Sequence, residues 1–173
     1  YSRNCRNDFI MMKKLLLILL CLPMIGFGQT YVPDDNFEAY LEANGMGDGV
    51  ALNNFVTTAN INTVTYLDVF SQNIADLTGI EAFTALTHLD CRENQLTSLD
   101  VSQNIALTYL NCEHNQLTNL DVSGATALNE LHGDNNQLTS LDVSNNIALG
   151  YFSCANNQLT SLDVSNNIDL GYF

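Results

Sequence analysis

Residues 107–127 read LTYLNCEHNQLTNLDVSGATA, and this pattern occurs four times in succession. The four copies are 21 residues apart and begin at Leu86, Leu107, Leu128 and Leu149. One string, NNQLTSLDVSNNI, occurs unchanged at 135–147 and 156–168. A unit of this length cannot bury a core alone and must stack on copies of itself. The sequence therefore predicts a solenoid with a broad side surface, which favours binding over catalysis.

The quoted copy begins with the template L-x-x-L-x-L-x-x-N-x-L, which is the leucine-rich repeat pattern. Cys112 fills its third apolar slot and Asn115 its Asn slot. A degenerate copy comes first and fills the same slots with Val64, Leu67, Val69, Gln72 and Ile74. We therefore predict a leucine-rich-repeat solenoid over 64–173, mostly β, with a parallel sheet on one face. Because a new rung begins at Leu170 and the sequence stops at Phe173, we interpret the solenoid as truncated at its C-terminus.

Alternation along each strand separates inward from outward side chains. In LTYLNC it sends Leu110 and Cys112 into the core and Tyr109, Asn111 and Glu113 outward. A stacked column of amides is expected at the turn after each strand and would satisfy unpaired backbone groups. Its members are Asn94, Asn115, Asn136 and Asn157. The second half of each repeat, LTSLDVS, is expected to run along the far side as short extended or 3₁₀ segments.

Three cysteines share the third apolar slot, namely Cys91, Cys112 and Cys154, and Gly133 completes their column. A metal site would need convergent thiolates, whereas these side chains lie parallel on separate rungs with a gap. A Cys91–Cys112 disulfide is allowed by the rung spacing and disfavoured by parallel Cβ directions. We therefore favour packed, small apolar cysteines.

The first part of the sequence has the pattern of an export leader. Residues 1–10 read as a non-native upstream extension, and 11–28 as a signal peptide with two lysines, an apolar run and a Gly-Phe-Gly cleavage site. A lipoprotein signal at Cys21 is the alternative, which Leu20 disfavours because a small residue is expected there. We expect cleavage before Gln29 and a secreted or cell-surface protein associated with the outer membrane.

Charge limits the choice of partners. Residues 29–173 contain one basic residue, Arg92, and eighteen acidic residues, so their net charge is −17. Nucleic acid is excluded as a partner, because phosphate contacts need Lys and Arg. Anionic membrane surfaces are disfavoured for the same reason. After removal of the signal no membrane insertion is expected, and we expect a monomer without a cofactor.

Residues 29–63 lie outside the repeats and are predicted to form an N-terminal cap. VPDDNFEAYLEANG indicates a short helix, with Asp35 as its N-cap and Glu38 closing a capping box. Its apolar face comprises Phe37, Tyr40 and Leu41, and Gly45 is expected to end it. Such a helix would cover the first rung and protect the open edge of the sheet.

From Tyr31 onward the chain resembles the internalin-like leucine-rich-repeat proteins exported by Bacteroidetes-type bacteria. The residues that carry the resemblance are VPDDNFEAYLEANGMGDG (32–49), NIADLTGIEAFTALTHLDC (73–91) and NQLTSLDVSQNIALTYLNC (94–112). The resemblance implies a non-enzymatic role in binding protein or glycan at the cell surface. It also implies a longer protein, often with a C-terminal sorting domain.

The outward strand positions form three columns. The first is Tyr66, His88, Tyr109, Glu130, Tyr151; the second is Asp68, Asp90, Asn111, His132, Ser153; the third is Phe70, Arg92, Glu113, Asp134, Ala155. Inward slots barely change between rungs, whereas these positions differ at nearly every rung. Stacking explains the constancy inside but does not require the variation outside. We therefore predict a ligand-binding face here, with drift on a solvated surface as the alternative.

The first column suggests how a ligand could be held. Tyr109 and Tyr151 lie two rungs apart, so their rings are expected roughly 10 Å from each other. A ligand lying along the solenoid could stack on both rings while polar neighbours set its register. Replacing both by alanine should weaken binding strongly and barely change the melting temperature.

A fourth column, in the LDV triplets, consists of Asp100, Asp121, Asp142 and Asp163. Stacked carboxylates about 4.8 Å apart should raise some pKa values or attract cations, so weak Ca²⁺ sites are one interpretation. The interpretation we favour is that each Asp bonds to local backbone or to the Ser two residues later.

Catalysis has little support in the sequence. The three histidines, His88, His114 and His132, are scattered over strands and turns, and no nucleophile pairs with one of them. A binding module is therefore our first hypothesis. A structural spacer of a larger secreted protein comes second, and an enzyme is a distant third.

Overall fold

The structure, a computed structural model, describes residues 28–173. The predicted upstream extension and all but the last residue of the predicted signal peptide lie outside the described residues. Within them, no helix is both long and apolar enough to cross a membrane. The elements are β1 (Gln29–Tyr31), α1 (Asp35–Ala43), β2 (Phe55–Thr57), α2 (Thr58–Ile61), β3 (Tyr66–Asp68), a 3₁₀ turn (Ile80–Ala82), β4 (His88–Asp90), β5 (Ser98–Asp100), β6 (Tyr109–Asn111), β7 (Asn119–Asp121), β8 (Glu130–His132) and β9 (Tyr151–Ser153).

The strands confirm the predicted solenoid. Strands β3, β4, β6, β8 and β9 form one five-stranded parallel sheet, here called the front sheet. On the far side, β5 and β7 form a two-stranded parallel sheet, so the LDV triplets are extended there. In the cap, β1 and β2 pair antiparallel. Parallel strands one rung apart follow from the repeat, because each unit must lay its apolar slots over those of its neighbour.

The core is the stack of inward slots. The middle residues of the last four front strands, Leu89, Leu110, Leu131 and Phe152, are fully buried. The leucines that open each repeat, and most apolar residues of the far side, are buried with them. Burial of a Leu side chain stabilises a fold by about 1.5–3 kcal/mol, so the repeated slots supply most of the favourable free energy.

The predicted amide column is confirmed. Asn115 donates from Nδ2 to the carbonyls of Cys91 at 3.0 Å and Cys112 at 3.1 Å, and its Oδ1 accepts from Leu96 N at 3.0 Å. Asn94, Asn136 and Asn157 make the corresponding bonds. The residue before each Asn has left-handed backbone, with φ between 53° and 57°. The amides therefore satisfy carbonyls that this sharp turn leaves unpaired.

A second buried amide column was missed in the sequence. Asn104, Asn146 and Asn167 lie at the far turn, and each donates to two carbonyls of the preceding rung. Their spacing of 42 and 21 residues was the available signal. It was obscured because Ala125 occupies the same place in the rung between them.

The cap helix forms as predicted, but its N-cap is Asp34 rather than Asp35. The Asp34 carboxylate accepts from the backbone N–H groups of Asn36 and Phe37. Glu38 makes no capping box, because its buried carboxylate instead accepts from Asn53 N at 2.8 Å and Asn54 N at 3.0 Å. Those loop donors are distant in sequence and outweigh the local arrangement.

The helix covers the first rung, as expected. Phe37 stacks on Phe83 with ring centroids 6.3 Å apart, and Leu41 is fully buried beside it. The Tyr40 hydroxyl donates to the carbonyl of Asp68, at the end of β3, at 2.6 Å. The edge of the front sheet is thereby closed at this end.

Candidate ligand-binding face

The strand register sets the first two outward columns side by side on the front sheet, and backbone bonds between rungs beyond the strand ends, such as Glu93 N to Glu113 O at 3.0 Å, continue to the third column. Tyr66, His88, Tyr109, Glu130 and Tyr151 are direct neighbours across successive strands. Asp68, Asp90, Asn111, His132 and Ser153 form the adjacent column in the same register. Tyr172 continues the first column through a bridge to Tyr151. The positions predicted to form the face therefore lie together on one surface.

The aromatic side chains of this surface form a continuous stack of six rings, here called the ring stack. Its members in order are Tyr66, His88, Tyr109, His132, Tyr151 and Tyr172, and successive centroids are 4.4, 4.0, 5.4, 4.6 and 4.5 Å apart. His132 belongs to the second column. Its imidazole lies between Tyr109 and Tyr151 at the rung where the first column has Glu130, so the row of rings continues there. The Tyr109–His132 pair is tilted by 43°, whereas the other four pairs are stacked.

This geometry changes the expected mode of contact. The faces of Tyr109 and Tyr151 lie against neighbouring rings, and the His132 ring lies between them. A ligand therefore cannot stack on both the Tyr109 and Tyr151 rings in the way that the sequence suggested. The edges and hydroxyl groups of the rings remain for contact. Rings held on both sides also lose little entropy on binding, which is an advantage for a recognition surface.

Two outward residues of the second column, Asp90 and Asn111, are nearly buried. Asp90 retains 6% of its exposure, and its carboxylate accepts from Arg92 N and pairs with Arg92 Nε, both at 3.2 Å. Burial raises the pKa of Asp90, although the bonds from Arg92 oppose this shift. The Arg92 guanidinium also lies 4.8 Å from the centroid of the Phe70 ring. The Arg92 side chain is thus held by two other residues of the outward columns, Asp90 and Phe70.

The acidic side chains of the face differ in how well they are satisfied. Asp134 accepts from the Ser153 hydroxyl and from Ala155 N on the next rung. Glu113 and Glu130 instead flank the His132 ring, with oxygen–nitrogen distances of 3.9 Å and 3.7 Å. These distances exceed those of hydrogen bonds, so both carboxylates stay available.

The Asp column of the far side follows the local interpretation. Asp100, Asp121, Asp142 and Asp163 each accept from the N–H of the Ser two residues later, at 2.8–2.9 Å. Bonds from these serines lower the pKa values of Asp121, Asp142 and Asp163, so the expected rise from stacked charge is wrong. Within residues 28–173, no group of three His, Cys, Asp or Glu side chains is arranged to hold a metal.

The histidines do not converge. His88 and His132 belong to the ring stack, and His114 lies at a turn, where its Nε2 is 3.3 Å from the Asn135 amide nitrogen. Their placement serves stacking and turn formation.

Comparison with known proteins places the fold. No family model matches the chain. Internalin J of Listeria monocytogenes is 46% identical over 74 residues, which is 43% of this chain and 8% of that protein. The solved functional domain of internalin J superposes with a TM-score of 0.74 and 42% identity, over 86% of this chain and 33% of that one. The chain carries an internalin-like leucine-rich-repeat domain.

Another solved relative agrees with this placement. A leucine-rich-repeat protein of Leptospira interrogans superposes with a TM-score of 0.61 and 29% identity, over 66% of this chain and 31% of that one. The internalin-like domain thus spans about a third of each solved chain. These relatives come from Listeria and Leptospira and lend no support to a Bacteroidetes origin. The Leptospira protein is named as a leucine-rich-repeat protein, and none of these names is that of an enzyme.

The cysteine column of the internalin-like domain is packed in the core. Cys91 and Cys112 are fully buried, and their thiols donate to the carbonyls of Asn111 and His132, each at 3.4 Å. Burial raises the pKa of both thiols, that of Cys112 to about 12. Cys154 is half-buried, and all three are free thiols. The solved domain of internalin J is itself described as including a cysteine ladder.

Thiol labelling tests this packing. Cys154 is expected to react with a thiol reagent at pH 8 at least about tenfold faster than Cys91 and Cys112, because the thiolate is the reactive form and burial suppresses it. Peptide mass spectrometry of timed samples would give the three rates. Cys112→Ala should cost about 1 kcal/mol of stability. Equal rates for all three cysteines would contradict the core assignment.

Proposed function

We propose that the outward face of the front sheet is the protein-binding surface of a secreted or surface-attached, non-enzymatic module. The observation that carries the proposal is the ring stack, six aromatic side chains in one row on the variable face of an otherwise repetitive chain. Packing of one repeat on the next does not require aromatic side chains on the outward face. Tyr is enriched at the centres of protein interfaces, where large rigid side chains contribute most to affinity.

A protein ligand fits this surface better than a glycan. Sugars bind to aromatic faces, and the faces within the stack are covered by neighbouring rings. Ring edges, hydroxyls, carboxylates and the Asn111 amide offer mixed polar contacts, which are typical of protein interfaces. Nucleic acid is a poor ligand, since Arg92 is the single basic residue after position 28.

The leader and the relatives support the export of this module. We infer that 11–28 directs secretion, that 29–63 is the cap and that 64–173 is a solenoid acting as a monomer. Internalin relatives support a place outside the cell, and the internalin-like fold supports an interaction role. A spacer is the second candidate, favoured by the identical segments 135–147 and 156–168, which contain the LDV triplets of the far side.

The proposal is tested on an array of extracellular proteins and glycans probed with the labelled protein. Tyr109→Ala with Tyr151→Ala should weaken binding to a protein hit at least about thirtyfold, because both rings belong to the row that contacts the ligand. The ring stack reverses the prediction that this substitution barely changes the melting temperature: removing two rings should lower it, since stacked pairs contribute on the order of 1 kcal/mol. Tyr109→Phe with Tyr151→Phe keeps the stack and isolates the hydroxyl contribution.

The matched control is Asp142→Asn with Asp163→Asn on the far side. It should leave the affinity unchanged. A loss of binding with the Asp pair but not with the Tyr pair would place the active surface on the far side. Hits restricted to glycans would contradict the protein assignment, and an array without hits would favour the spacer.

A further inference from the structure

The centre of the ligand-binding face contains an almost buried amide with unused donors. Asn111 retains 3% of its exposure, and its Oδ1 accepts from Glu113 N at 3.1 Å. That bond fixes the orientation of the amide. No described residue accepts a hydrogen bond from Nδ2. This nitrogen keeps some contact with solvent. The Nδ2 group is therefore left to donate to a group that covers the face.

Within residues 28–173, the two carboxylates beside this amide have no Lys or Arg partner. Glu113 and Glu130 approach the two nitrogens of His132 from opposite sides, and their side chains remain 24% and 47% exposed. The one guanidinium of the described chain, that of Arg92, is paired with Asp90 instead. The surface thus joins donors that need an acceptor to carboxylates that need a positive charge.

We propose that the ligand of this face is a basic polypeptide segment, with Lys or Arg side chains on Glu113 and Glu130 and a main-chain carbonyl on Asn111 Nδ2. The inference rests on the proposed function and specifies its partner. A polypeptide is the chemistry that supplies cations and acceptor carbonyls within a few ångströms of each other. A polyamine supplies only the cations.

Charge over the whole molecule favours the same partner. With one basic and eighteen acidic residues after position 28, the field of the module attracts cationic surfaces. Such attraction is general and is screened by salt, with a Debye length of about 8 Å at physiological ionic strength. The specific part of the affinity must come from the face, where the ring stack and the buried amide fix the position of the ligand.

Isothermal titration of the purified protein with octalysine and with spermine separates general electrostatic attraction from the specific contacts of the face. Glu113→Gln with Glu130→Gln is compared with Asp142→Asn with Asp163→Asn, because each pair removes two negative charges. The face pair should weaken octalysine binding at least about tenfold, and the far-side pair by less than about twofold. Equal losses from both pairs would overturn the proposal, since general attraction alone would then explain binding.

Asn111→Asp provides a second variant in which the two explanations predict opposite signs. Asp occupies the same register position on the preceding rung, where Asp90 accepts from Arg92 N, so the fold accommodates it. The added negative charge should tighten binding if attraction alone acts. Loss of the Nδ2 donors should weaken octalysine binding about threefold or more, whereas spermine, which offers no carbonyl and is held by charge alone, should bind more tightly. Tighter octalysine binding would overturn the carbonyl contact.

These outcomes are distinct from failure of the proposed function. If an array protein loses affinity with the Tyr pair but keeps it with the Glu113→Gln, Glu130→Gln pair, the face binds protein and the basic-segment proposal is wrong. If the face pair selectively weakens octalysine and no array protein binds, the basic site stands and the protein-binding role is the part that fails.

Discussion

Phe37→Ala is expected to lower the free energy of unfolding by about 3–5 kcal/mol, the usual cost of removing a buried aromatic side chain. Phe37 is fully buried on α1 and stacks on Phe83 of the adjoining turn. Its loss would leave a cavity between the cap and the first rung. Each rung of a solenoid is stabilised only by its neighbours, so damage at an end spreads inward. Chemical denaturation followed by circular dichroism would measure the change.

Asp35→Ala is the matched control on the same helix. Asp35 is exposed, and the capping bonds come from Asp34, so its removal should change stability by less than about 0.5 kcal/mol. If Phe37→Ala proved as mild as this control, α1 would not be anchored on the solenoid. If Asp35→Ala were the costly variant, the N-cap would be the residue that the sequence predicted.

Asn115→Ala is expected to cost about 3 kcal/mol, although it removes only a small polar side chain. The substitution leaves the carbonyls of Cys91 and Cys112 and the N–H of Leu96 without partners inside the solenoid. Each unsatisfied buried group costs about 1–3 kcal/mol, and neighbouring losses are not additive. The midpoint of urea unfolding, compared with that of the unaltered protein, would report the loss.

Asn145→Ala supplies the comparison for this prediction. Asn145 is exposed on the far side and donates to one carbonyl, that of Ser123, at 3.2 Å. Water can replace that bond, so the expected change is below about 0.5 kcal/mol. A difference of less than about 1 kcal/mol between the two Asn variants would contradict the assignment of the amide column as a structural device.

Local patterns succeeded where a side chain meets partners set by the repeat itself. Asn115 was placed correctly because its carbonyl partners, one on its own rung and one on the preceding rung, recur in every copy. The Asp142 carboxylate was likewise expected to bond locally, and it accepts from Ser144 N at 2.9 Å. The expected rise in pKa along that column was wrong, because bonds from serine outweigh repulsion between neighbouring carboxylates.

Local patterns failed where the partner comes from elsewhere in the chain. Glu38 has the spacing of a capping box, yet it accepts from Asn53 and Asn54 in a loop that the sequence does not bring near it. The N-cap is Asp34, one residue before the predicted Asp35. The second amide column escaped notice for a related reason, since Ala125 breaks its period and only the stacked rungs reveal its members.

The 21-residue period alone established the solenoid, its parallel front sheet and the membership of each outward column, because a strand register follows once identical apolar slots must stack. The arrangement of side chains within the face depended on tertiary contacts. His132 enters the ring stack at the rung where the first column has Glu130, and Asn111 is nearly buried because its neighbours cover it. Both outcomes are set by rotamer choice and shape across adjacent strands, which spacing along one chain does not encode.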